Sequence, residues 1–86
     1  MQKADAGRLT RALNPMPDDI RAALDARRLG TAYDARPAYQ RNDYLGWIAR
    51  AKREDTRERR IAQMLDELAR GDVYMKMAWN AGDNGR

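Results

Sequence analysis

The chain has 86 residues, 17 of them basic and 13 acidic, for a net charge of +4. That length fits one domain near the lower limit of independent folding. His and Cys are absent, and the sequence holds no Ser either, so Ser-His-Asp and Cys-His nucleophiles, disulfides and the usual zinc ligands are all excluded.

Residues 1–14 read as a loose lead-in. Asp5, Gly7 and the Asn14-Pro15 pair interrupt any apolar period, and the segment lacks the apolar stretch of a signal peptide. Residues 15–79 read as a single helical domain, with its first helix predicted over 17–28. Pro17 suits the first helical position, where a missing N–H costs nothing. Asp18 and Asp19 favour the positive end of the helix dipole, and Ile20, Ala23 and Leu24 repeat at helical spacing. Arg27 and Arg28 suit the last turn. Gly30 then breaks the pattern and Pro37 closes a segment of one or two helical turns, with Tyr33 turned toward the core.

The next two segments carry the strongest pattern. Stepped at about 100° per residue, Tyr44, Leu45, Trp47, Ile48 and Ala51 fall within about 160° of arc. This predicts a helix over 38–52 with Gly46 on its exposed side. A further helix is predicted over 54–70. Glu54 and Asp55 open it, Ile61, Met64, Leu65 and Leu68 form its apolar stripe, and Gly71 stands where a left-handed cap ends it. Asp55 with Arg59 and Asp66 with Arg70 are acid-first i, i+4 pairs. A link of about two residues, Lys52 and Arg53, makes the helices antiparallel neighbours. Burial between their stripes, at about 25 cal/mol per Å², is then the main stabilising contribution. The predicted fold is all-α, a small helical domain built on the antiparallel hairpin of 38–52 and 54–70, preceded by the helix at 17–28.

In "DVYMKMAWNAG", Val73, Met75, Met77 and Trp79 alternate like a strand, whereas Tyr74, Met77 and Ala78 fit a helical turn. A strand without a partner is unstable, so one or two helical turns docked on the hairpin are predicted, followed by a flexible tail at 80–86. No apolar run approaches the roughly 20 residues of a membrane span. No glycine pattern resembles a phosphate loop, and no cofactor or metal is expected. The chain reads as a cytoplasmic, non-enzymatic protein.

Positive charge concentrates in one place. Residues 50–60 hold Arg50, Lys52, Arg53, Arg57, Arg59 and Arg60 against Glu54, Asp55 and Glu58. Arg57 projects beside the apolar stripe, where a guanidinium either snorkels outward or pairs with a carboxylate such as Asp43, Asp18 or Asp19, or else receives an anionic ligand. Arg60 flanks the stripe and can assist, whereas Arg59 projects to the far side. The block at 50–60 reads either as compensated charge at a helical turn or as a weak phosphate-binding patch. Tyr44 and Trp47 read as core aromatics, the alternative being a base-stacking platform. Met75, Met77 and Trp79 read as core or lid, or else as an apolar contact surface.

Residues 39–71, "YQRNDYLGWIARAKREDTRERRIAQMLDELARG", resemble the bacteriocin-protection or OmpD-associated family, which includes the YdeI-like group. The residues that carry the resemblance are Gln40, Arg41, Tyr44, Leu45, Trp47, Ile48, Ala51, Lys52, Thr56, Arg57, Arg59, Arg60 and Ile61, with support from "PDDIRAAL" and "AYDA" upstream. It covers roughly 17–71. Glu54 stands where members often have Pro, and Gly46 where they often have a longer charged side chain. The resemblance implies a bacterial source and an α-helical module, often attached to another domain. It also implies an association with resistance to bacteriocins and cationic antimicrobial peptides, linked to an outer-membrane porin. Two functional readings follow. In the first, Arg57, Arg60 and the basic turn contact a protein or an anionic envelope component. In the second, Arg50, Lys52, Arg53 and Arg60 bind nucleic acid weakly.

Overall fold

A computed structural model describes residues 13–79 of the chain. Within them lie four helices and a short hairpin: α1 (Asp18–Ala26), α2 (Gly30–Asp34), α3 (Ala38–Ala49), α4 (Glu54–Arg70), β1 (Val73–Tyr74) and β2 (Met77–Ala78). The domain is predominantly helical, as the apolar periods predict. Of the expected loose lead-in over 1–14, residues 1–12 fall outside the described residues, as does the tail at 80–86, whereas Asn14 is hydrogen-bonded to Asn42 and is not loose.

Pro17 caps α1 from one position earlier than predicted, and its carbonyl accepts the N–H groups of Ile20 and Arg21. The helix stops at Ala26 because Arg28 adopts φ 58°. Leu29 N–H then reaches Leu24 O at 2.8 Å and Arg28 N–H reaches Asp25 O at 3.0 Å. This is the Schellman closure, with arginine at the position glycine usually holds. Arg27 and Arg28 therefore lie beyond the helix and not in its last turn. Gly30, expected as a break, is the first residue of α2.

α3 and α4 pack as predicted, with opposite chain directions. Trp47 meets Arg60 near the turn, and Tyr44 meets Glu67 farther away. The connection is Arg50–Arg53, longer than the two residues predicted, because α3 ends at Ala49. Ile20, Leu24, Tyr33, Tyr44, Leu45, Ile48, Met64, Leu65 and Leu68 make the buried core. Trp47 and Ile61, predicted as core, are half-buried at its margin.

The circumference of α3 departs from the prediction. Gln40, Asn42 and Gly46 are buried together with the apolar residues. Gly46 is not on a solvent face but lies under Asn14, whose Nδ2 is 2.8 Å from where a Cβ at position 46 would sit. Asn14 is held by Asn42: its N–H donates to Asn42 Oδ1 at 2.7 Å, and its Nδ2 donates to Asn42 O at 3.1 Å and to Oδ1 at 3.0 Å. A glycine here permits that close approach.

Residues 73–78 correct the helical prediction for this segment. Val73 pairs with Ala78 and Tyr74 with Met77 in an antiparallel hairpin, so the strand's partner comes from the segment itself. Met75 and Lys76 form its turn at φ 51° and 65°, the handedness that matches strand twist.

Candidate functional site

Arg57 proves to be a partnered residue. Its Nη1 and Nη2 donate to Asp19 Oδ2 and Oδ1 at 2.7 and 3.1 Å, joining α4 to α1. The hydrogen bond from Arg57 holds the Asp19 carboxyl below its ordinary value of 3.8, and Asp19 raises the guanidinium in turn. The socket proposed for an external anion is thus filled by one of the carboxylates that the sequence offered.

The basic turn is divided. Arg53 pairs with Asp55 at 2.9 Å on the surface, which lowers the Asp55 carboxyl. Arg59 contacts the same carboxylate at 3.7 Å. Arg50 and Lys52 are exposed, and their side chains have no ion-pair partner among the described residues.

Arg60 lies apart from these pairs. Its Nη1 donates to the carbonyl of Trp47 at 2.7 Å, and its guanidinium carbon lies 5.2 Å from the centre of the Trp47 ring. One N–H is used, and the remaining donors meet no acceptor among the described residues. Beside the pair runs an open groove of about 640 Å³, lined by Trp47, Thr56, Arg59, Arg60, Ala62, Gln63, Asp66 and Lys76. Arg59, placed on the far side by the wheel, lines this groove. Three cations against one carboxylate give it a positive field, and the indole edge gives it an apolar wall.

Sequence reasoning missed a buried polar junction at the other end of α4. Glu67 is only 3 % exposed, yet its carboxylate accepts four hydrogen bonds. Tyr44 Oη and the Met75 N–H donate to Oε1 at 2.5 and 2.8 Å. Gln63 Nε2 and the Lys76 N–H donate to Oε2 at 3.0 and 2.9 Å. Its main-chain carbonyl accepts from Gly71 N–H at 2.9 Å and from Arg36 Nη2 at 3.0 Å. Arg36, also buried, donates to Gln40 Oε1 at 3.0 Å and lies 4.5 Å from the centre of the Trp79 ring. Full satisfaction of this kind is what a buried charge requires. Burial, and then the carboxylate beside it, push the Tyr44 hydroxyl well above its ordinary value of 10.0. Tyr74 completes the junction, edge-on to Tyr39 and Tyr44, with its hydroxyl donating to Asp43 at 2.6 Å.

Among the described residues no group of His, Cys, Asp or Glu could hold a metal ion, and no helix is long and apolar enough to cross a membrane. The Glu67 carboxylate is fully engaged within the junction, whereas the buried Trp79 Nε1 beside Arg36 meets no acceptor among the described residues. Among the described residues donors remain for a ligand at Arg60, beside the groove, and at the exposed Arg50 and Lys52. A family model described as "Bacteriocin-protection, YdeI or OmpD-Associated" matches residues 15–71. Neither the curated proteins nor the solved structures give a match.

Proposed function

The chain belongs to the bacteriocin-protection, YdeI or OmpD-associated family, and from that premise we propose that it is a non-enzymatic interaction module that binds an acidic segment of a partner protein. The observation that carries this is the Arg60 guanidinium, laid over the Trp47 indole with unspent donors facing an open basic groove. An anionic side chain can accept from Arg60 while a neighbouring apolar group rests on the indole. Arg50 and Lys52 add long-range attraction.

The same charge decides how such a module would protect a cell. A basic groove repels cationic antimicrobial peptides, so direct capture of the toxic peptide is disfavoured. Protection then runs through an acidic partner, an envelope protein being the kind the family association favours.

Fluorescence anisotropy with a short glutamate-rich peptide carrying one leucine tests the proposal, with single-stranded DNA and anionic vesicles as comparators. Binding of the peptide, lost in Arg60→Ala, supports the module. Binding of DNA and not of the peptide, falling steeply with salt, would replace it with the weak nucleic-acid reading through Arg50, Lys52, Arg53 and Arg60.

A further inference from the structure

The hairpin of β1 and β2 lies outside the family-matched segment, which ends at Gly71. It is nevertheless bound firmly to α4. Both turn N–H groups, those of Met75 and Lys76, donate to the Glu67 carboxylate, one to each oxygen. Neither turn residue is glycine, so each pays for positive φ; two charge-assisted hydrogen bonds offset that cost. The turn is therefore set by a residue of the helix and not by its own sequence.

This arrangement has a consequence for the groove. The backbone of Lys76 is fixed beside Glu67, and its side chain lines the basic groove that contains Trp47 and Arg60. Lys76 also lines a second hollow of about 450 Å³, bounded by Glu67, Arg70, Asp72, Val73, Met77 and Ala78. The two hollows share Gln63, Asp66 and Lys76, so they form one trough along α4. From Thr56 to Arg70 that helix rises roughly 21 Å, enough for about six residues of extended chain. Lys76 lies where the two hollows adjoin. Beyond it the wall is mixed, with Arg70 and Asp72 beside an apolar strip of Val73, Met77 and Ala78, and Met77 is 60 % exposed.

We infer that Lys76 is a specificity-determining residue of the trough, and that Glu67 is the positioning residue that latches it there. This rests on the proposed binding of an acidic segment. The occupant is an extended acidic stretch that places one carboxylate at Arg60, a second at Lys76 and an apolar side chain against Met77.

The test uses the full chain and the same glutamate-rich peptide carrying one leucine. Lys76→Gln weakens binding about two- to fivefold, the range of an exposed ion pair, and flattens its salt dependence; Lys76→Arg restores both. Glu67→Gln exposes the Met75 and Lys76 amides to faster hydrogen exchange and weakens binding by the same factor. The Glu67→Gln, Lys76→Gln double variant binds no worse than either single one, because both remove one contact. Should Glu67→Gln fail to fold, Tyr74→Phe loosens the hairpin from Asp43 without touching the core, and it must weaken binding only while Lys76 is present. Unchanged affinity in Lys76→Gln, or additive losses in the double variant, overturns this inference and leaves the Arg60 groove standing. Absence of peptide binding by the wild-type chain overturns the proposed function, and the role of Lys76 with it.

Discussion

Replacing Tyr44 by Phe removes one oxygen from the centre of the molecule and little else. The ring is fully buried and stays, so only an oxygen-sized void is left. What is lost is the hydrogen bond from Tyr44 Oη to a carboxylate that is itself buried. Bonds to charged groups contribute about 1.5–3 kcal/mol, and Glu67 keeps three other donors to its carboxylate, so a loss of about 2 kcal/mol is expected. For a domain of this size that lowers Tm by about 8–16 °C. Urea unfolding followed by circular dichroism at neutral pH should show a lower midpoint with an unchanged slope. A second signature separates this from a general weakening. The folded Tyr44 hydroxyl titrates above its unfolded value of 10.0, so its contribution is complete below 10.0 and is lost as pH rises toward the folded value. The wild-type protein then loses stability above that pH with a slope approaching about 1.4 kcal/mol per pH unit for each such tyrosine. Tyr33, raised by burial, adds to the same loss. Tyr44→Phe should reduce the alkaline loss and keep the Tyr33 part. A cost below about 0.5 kcal/mol, or an alkaline loss as steep as in the wild type, would refute the picture of a buried hydrogen-bonded charge.

Gly46→Ala should give no stability gain despite the helix propensity of alanine, worth about 1 kcal/mol. The new Cβ displaces Asn14 from Asn42, and a thermal melt raised by the full propensity gain would contradict this. An Asp19→Asn, Arg57→Gln cycle should show coupling at neutral pH. Because the folded carboxyl titrates below 3.8, that coupling is present above 3.8 and vanishes as pH falls through the lowered value; persistence in strong acid would be inconsistent with it. Arg28→Gly should stabilise the protein by up to about 1 kcal/mol, since it relieves φ 58° at the α1 closure; a destabilised urea midpoint would assign the arginine another role.

The helical hairpin was legible because α4 obeys a simple rule: Met64, Leu65 and Leu68 sit at helical spacing and are buried. α3 was only partly so. Its apolar arc is real, but Gln40 and Asn42 are buried through hydrogen bonds, and a hydropathy pattern counts such residues as exposed. Glu67 was hidden for the same reason, as one acid at the flank of a stripe on a charged helix. The hairpin went unread because "Met75-Lys76" carries no turn chemistry of its own. Its signal lies in a carboxylate 8 and 9 residues upstream, which no local window weighs. At the basic turn, sequence left Arg57 open to a carboxylate or an external anion and could not choose among three carboxylates; the structure pairs it with Asp19. The selection of Arg60 as the available cation depends on tertiary pairing, which composition does not record.

The most direct measurement is an NMR titration of the wild-type chain with the glutamate-rich peptide carrying one leucine, following amide and indole signals together. Perturbations should converge on the Trp47 indole, Arg60, Gln63 and Lys76, which line the groove together with Thr56, Arg59, Ala62 and Asp66. Shifts confined to Arg50, Lys52 and Arg53, with the indole at position 47 unmoved, would contradict this.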